Sequence, residues 1–272
     1  MSLEFQDDEL IQFEAEGPQP LPATRLQGYV ENAGARIWYA AYGPDSSPAV
    51  ILLHGGLGHS GNWGHQLPAL IDNGYRVIVM DSRGHGRSTR DAQPYSYDLM
   101  ASDVLAVMDA LLLDKAHLAG WSDGACTALV LARIKPARVA SVFFFACNMD
   151  PSGTKPFEPT PALDRCFSRH TRDYADLSAT PGEFHNFVEA VSLMQRTQPN
   201  YSSEDLAAIA VPVAIVQSEH DEFIRREHAE YLAQTIPGAE FIFLEGVSHF
   251  APLQRPAQFN AALLSFLSRK QF

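Results

Sequence analysis

The sequence predicts an α/β protein: a mostly parallel central sheet with flanking helices and a small helical lid. Strand-length apolar runs alternate with segments of helical periodicity along most of the chain. A long stretch after Cys147 interrupts that alternation with Pro, Gly and Thr and shows no strand signal before Val211. A Gly-x-Ser-x-Gly pentapeptide stands where one apolar run gives way to a helical pattern. The 272 residues and 46% hydrophobic content suit one substantial domain.

From the N-terminus, residues 1–24 are rich in Asp and Glu and hold no apolar run long enough for a signal peptide or a span, so a loose arm is expected there. Apolar and polar residues alternate through Arg36-Ile37-Trp38-Tyr39, and Asn32-Ala33-Gly34 supplies a turn; together they predict an edge hairpin over 28–43. Buried strands are expected at 49–53, 75–80, 116–119, 139–146, 211–216 and 241–244. Met100, Val104, Met108 and Leu111 fall at three- and four-residue steps, the stripe of a helix over 97–113 that packs on a sheet. Phe184, Phe187, Val188, Val191 and Met194 repeat that spacing within the strand-free stretch, so this face either buries against the main body or lines a pocket. The expected organisation is a core from 25–148 and 207–272, with a helical lid from 149–206.

A formal net charge of −12 disfavours nucleic acid or an anionic membrane as partner, because binding to phosphate needs clustered Lys and Arg. Cys126, Cys147 and Cys166 are odd in number and lack metal-ligand spacing, which points to a reducing, cytoplasmic setting. A monomer or homodimer acting on a small molecule is the expectation.

The pentapeptide Gly120-Trp121-Ser122-Asp123-Gly124 follows an apolar run and precedes a helical pattern over 125–134. A serine on a sharp strand-to-helix turn sits in a strained backbone, with glycines on either side relieving crowding and its hydroxyl projecting outward. The helix that follows aims its positive end and unpaired N–H groups at the same place, where charge develops during acyl transfer. Such a serine needs a base and an acid from elsewhere in the chain. Gln217-Ser218-Glu219-His220-Asp221-Glu222 puts several carboxylates beyond one strand, and Gly246-Val247-Ser248-His249-Phe250 puts a histidine beyond the next. The residue pattern alone leaves the acid open among Glu219, Asp221 and Glu222.

Leu52-Leu53-His54-Gly55-Gly56-Leu57-Gly58 follows another buried strand and reads as an oxyanion loop, with the N–H groups of Gly56 and Asp123 as donors. Asp81-Ser82-Arg83-Gly84-His85-Gly86-Arg87-Ser88 reads as a structural turn whose charges bond loop backbone. Trp121, Leu57, Phe184 and Phe250 are expected to line a largely apolar substrate site.

From 28 to 272 these motifs, in this order, resemble the α/β-hydrolase family. The resemblance implies the α/β-hydrolase fold and selects Asp221 as the acid, giving a Ser122, Asp221, His249 triad that needs no metal or organic cofactor. Gly-Trp-Ser-Asp-Gly is also similar to the biphenyl hydrolase-like subgroup that contains valacyclovir hydrolase, in which the acid after the nucleophile helps bind a substrate amino group; that role would fall on Asp123. The expected chemistry is hydrolysis of a small ester, thioester, lactone or activated amide through an acyl-enzyme. The same triad could instead cleave carbon–carbon bonds, act as an aminopeptidase or acyltransferase, or belong to a weakly catalytic ligand receptor.

Overall fold

A computed structural model describes residues 9–24 and 26–270. Eight strands form one sheet: β1 Gln27–Asn32, β2 Ala35–Tyr42, β3 Ala49–Leu53, β4 Arg76–Met80, β5 Ala116–Trp121, β6 Val139–Phe145, β7 Val213–His220 and β8 Glu240–Ser248, in the spatial order β1-β2-β4-β3-β5-β6-β7-β8. The hairpin β1–β2 and the β2–β4 pair are antiparallel, and all later pairs are parallel. Ala33, at φ 42°, makes the hairpin turn with Gly34. Strands β3, β4, β5 and β6 are buried along their whole length, as expected where helices cover both faces.

The helices are α1 Leu10–Glu16, α2 Gln66–Asp72, α3 Tyr97–Ala110, α4 Asp123–Ile134, α5 Pro161–Leu177, α6 Phe184–Thr197, α7 Ser203–Ala207, α8 Arg226–Thr235, α9 Ala251–Gln254 and α10 Pro256–Ser268. Ser96 caps α3 by accepting from the Leu99 N–H, and Met100, Val104 and Met108 carry its buried stripe. Two apolar layers result, one on each face of the sheet: Val104, Leu118, Leu129 and Ile215 belong to the first, Val79, Phe143, Phe259 and Phe266 to the second. Among the described residues no helix is long and apolar enough to cross a membrane.

Between β6 and β7 the chain forms α5, α6 and α7. Phe187, Val191 and Met194 of α6 are buried in the same cluster as Leu53, Met80 and Tyr95, so that face packs on the main body. The loose arm expected at the N-terminus is docked through α1. Leu10 and Phe13, three residues apart on α1, are buried, Phe13 meets the His170 ring of α5 edge-on, and Arg165 pairs with Glu14 at 3.3 Å. Two apolar residues on one helical face, with this ion pair, dock a helix in a segment that carries six acidic residues in its first 24; residues 1–8 lie outside the described residues.

The 81–88 turn does bond loop backbone. Asp81 accepts from the N–H groups of Ser60 (2.8 Å) and Arg87 (2.8 Å), and the Arg83 guanidinium grips Asp103 of α3 while donating to the Asn32 and Ala33 carbonyls.

Candidate active site

Ser122 occupies the turn between β5 and α4 at φ 55° and ψ −123°, a left-handed conformation costly for a residue with a side chain. The surroundings hold it there: its N–H donates to the Phe145 carbonyl of β6 at 2.9 Å, and its own carbonyl accepts from Ala125 and Cys126. The flanking glycines are required by contact. A Cβ at Gly124 would stand 2.1 Å from the Leu53 carbonyl oxygen, and one at Gly120 would stand 2.4 Å from the Ala125 backbone. As the first two residues of α4, Asp123 and Gly124 have N–H groups that the helix itself cannot pair.

Asp221 and His249 follow β7 and β8 at the same C-terminal edge of the sheet. His249 Nδ1 lies 3.1 and 3.2 Å from the two Asp221 carboxylate oxygens, and both side chains are buried. Asp221 Oδ1 also accepts from the N–H groups of Phe223 (2.9 Å) and Ile224 (2.8 Å), which fixes the carboxylate plane. Burial alone would lower the His249 imidazole, but the Asp221 carboxylate, with Glu222 and Asp123, outweighs it and holds the ring above its ordinary value. The rings of Phe223, Phe250, Trp121 and Phe145 surround the imidazole, Phe223 nearest at 4.7 Å between centroids.

The three carboxylates left open as candidate acids have separate tasks. Asp221 takes the imidazole, Glu222 accepts from the His249 backbone N–H at 2.9 Å, and Glu219 accepts from the Gly246 N–H at 2.7 Å.

The 54–58 loop reaches the turn from β3. A Cβ at Gly55 would lie 3.3 Å from Ser122 Cβ, and one at Gly56 would lie 2.5 Å from the Asp123 carboxyl, so this loop can approach only as bare backbone. His54 fixes its path: Nδ1 donates to the Gly55 carbonyl at 2.8 Å while Nε2 accepts from the Ser82 N–H at 2.9 Å. Burial pushes the His54 imidazole down to about 4, so near neutral pH it holds the single ring proton that this pair of bonds needs. Leu57 follows at φ 64° and packs against the first core layer.

Asp123 is buried with both oxygens occupied. Tyr97 Oη donates to Oδ1 at 2.8 Å, and Gln195 Nε2, from the α6 helix, donates to Oδ2 at 2.9 Å. Burial raises this carboxyl, against those two bonds and the His249 charge, which favour its ionised form. Neutral donors therefore hold the Asp123 side chain.

A family model described as the alpha/beta hydrolase fold matches residues 48–166. RutD of Caulobacter vibrioides, a candidate carbamate hydrolase, is 30% identical over 260 residues, spanning 83% of this chain and 92% of its own. The chain belongs to the α/β-hydrolase fold family. This hydrolase is also similar to 3-oxoadipate enol-lactonase 1 of Acinetobacter baylyi, 27% identical over 258 residues, 84% of this chain and 92% of the lactonase. The carboxylesterase CesB of Bacillus subtilis superposes with a TM-score of 0.72 at 22% identity over 95% of this chain and 96% of that one, a likeness of fold.

The structure of this hydrolase brings Trp121, Phe250, Asp221 and His249 together, sets Gly55 beside Ser122 and Gly56 beside Asp123, and packs Leu57 against the first core layer. The Phe184 ring meets Phe167, Tyr174 and Phe187 and so joins α5 to α6. Helical periodicity gives the buried face of α6 but cannot say whether its partner is a ligand or another helix. Phe223, Gln195 and Tyr97 were not singled out from the sequence. The 72 residues between Gln195 and Asp123 leave no local pattern to mark their contact.

Proposed function

We propose that this hydrolase cleaves a small ester, thioester, lactone or activated amide through a Ser122–His249–Asp221 triad and an acyl-enzyme. The observation that carries the reading is the left-handed Ser122 at the head of α4, on the same sheet edge as a buried imidazole whose Nδ1 faces the Asp221 carboxylate. In this mechanism His249 Nε2 accepts the Ser122 proton as Oγ attacks the carbonyl carbon, then returns that proton to the leaving group. Water enters by the same route and releases the acid. The N–H groups of Gly56 and Asp123 receive the oxyanion, a stabilisation for which loss of one donor costs about 3–4 kcal/mol. Asp221 fixes the tautomer and balances the imidazolium. The similarity to an enol-lactonase and to a candidate carbamate hydrolase agrees with small acyl substrates.

Trp121, Leu57 and Phe250 form apolar walls in this reading, with residues 149–206 as a lid. The buried Asp123 carboxyl beside the oxyanion loop favours uncharged or cationic substrates over carboxylates, since a second anion there would meet an unfavourable field. We place the enzyme in a reducing cytoplasm, working without cofactor as a monomer or homodimer.

The test is a panel of p-nitrophenyl esters of increasing acyl length with an aminoacyl ester, run on wild type, Ser122→Ala and Asp123→Asn. The reading requires turnover by wild type, its loss by at least about a thousandfold in Ser122→Ala, and a fall in aminoacyl ester preference in Asp123→Asn. Turnover equal in wild type and Ser122→Ala would overturn the triad.

A further inference from the structure

We propose that Glu222 is a positioning residue for the general base: it anchors the His249 backbone and places a second carboxylate against the histidine that Asp221 orients. The inference rests on the triad reading above. Its basis is the division of labour in the acid loop. The segment 246–249, the end of β8 and the residue after it, is tied at one end by Glu219 on the Gly246 N–H and at the other by Glu222 on the His249 N–H, while Asp221 holds the His249 ring. The two anchors differ in environment. Glu219 is largely exposed, with 44% of its side chain accessible, whereas Glu222 is mostly enclosed beside the buried pair.

That enclosure has an electrostatic consequence. A carboxylate in solvent is screened and acts weakly at a distance; one shielded from water acts strongly on a neighbouring charge. The carboxylates acting on His249 are Asp221 and Glu222 from the acid loop and Asp123 from α4, the Lys155 ammonium donates to the Asp221 carbonyl at 2.6 Å, and the rings packed on the imidazole, Trp121, Phe145, Phe223 and Phe250, do not titrate. Glu222 itself is raised by burial, opposed by the His249 N–H bond and the imidazolium. Near neutral pH its negative charge favours the imidazolium that His249 becomes in the transition state. The same charge keeps the free base protonated to higher pH, so this residue trades acid-side activity for a stronger base.

The experiment compares wild type with Glu222→Gln, Glu222→Ala and Glu219→Gln. His249 titration is read by 15N-edited NMR, and the pH profile of kcat/KM is measured on the best ester of the panel. Glu222→Gln keeps an oxygen for the His249 N–H and loses only charge. Its His249 midpoint and the acid limb of its profile should both move to lower pH by about half to one unit, as for removal of a carboxylate a few ångströms away. Glu222→Ala should show the same shift with a further fall in kcat of roughly tenfold from the released loop and little change in KM. Glu219→Gln should leave the midpoint unmoved. An unmoved His249 midpoint in Glu222→Gln, or an equal shift in Glu219→Gln, would overturn the proposal. The NMR titration needs no turnover, so a failure of this inference is distinguishable from a failure of the triad.

Discussion

Replacing Asp221 with Asn changes one atom and tests whether the imidazole tautomer controls this site. Asp221 Oδ1 receives two backbone N–H groups, from Phe223 and Ile224, at 2.9 and 2.8 Å. An amide nitrogen cannot accept them, so the asparagine must keep its oxygen in that position and turn its NH2 toward His249, where Oδ2 now stands 3.1 Å from Nδ1. The NH2 then donates to Nδ1 and favours the tautomer with the ring proton on Nε2, which cannot accept from Ser122; the retained oxygen, 3.2 Å from Nδ1 but already shared by two backbone N–H groups, competes less well for that proton. Loss of the correct tautomer in this manner costs about 10⁴ in kcat, or about 5 kcal/mol of transition-state stabilisation. Both backbone bonds survive, so thermal stability should change little. The assay is kcat on the best p-nitrophenyl ester with the melting temperature measured alongside. Activity within about tenfold of wild type at an unchanged melting temperature would refute the reasoning and move the orienting role to another carboxylate.

Two further outcomes concern stability. Arg83 and Asp103 form a buried two-point pair, Nη2 to Oδ1 at 2.7 Å and Nε to Oδ2 at 3.1 Å, so Arg83→Met should cost about 3–5 kcal/mol in denaturant unfolding by leaving the buried Asp103 charge with only the neutral Asn32 amide; a loss below ~1 kcal/mol would show the pair to be dispensable. Burial pushes the imidazoles of His54, His85 and His170 down to about 4, 3 and 4, below the value of an unfolded histidine, about 6.5. Their contribution is therefore intact above about pH 6.5 and is lost as pH falls, because the unfolded chain takes up protons that the fold excludes. A melting-temperature series from pH 7 to 4 should decline, less steeply in His85→Phe, and an equal slope in both proteins would contradict the assignment.

Periodicity and turn chemistry were enough to locate the hairpin, the parallel strands, α3 and the sharp turn at Ser122, because each depends on residues within one or two turns of chain. Strand β3 runs over Ala49–Leu53 as expected, and β8, Glu240–Ser248, extends the expected run at both ends because its later residues pair into the acid loop. The order Ser122, Asp221, His249 was legible for the same reason, since each residue marks the end of a local strand pattern. The choice among Glu219, Asp221 and Glu222 was not legible in the residue pattern; the family resemblance selected Asp221, the carboxylate that faces the imidazole. Three carboxylates within four positions are equivalent in sequence, and only the path of the facing loop gives one the imidazole and the other two its backbone.

Tertiary structure alone decided what covers each apolar or charged face. Leu10 and Phe13 dock a helix that composition reads as a solvated arm, and Phe184 meets rings of both α5 and α6. Gln195 and Tyr97 meet at Asp123 from helices far apart in the chain. The reason is physical: local sequence sets backbone conformation and the width of an apolar stripe, but the partner of a buried side chain is chosen by packing and hydrogen-bond satisfaction among segments with no sequence proximity.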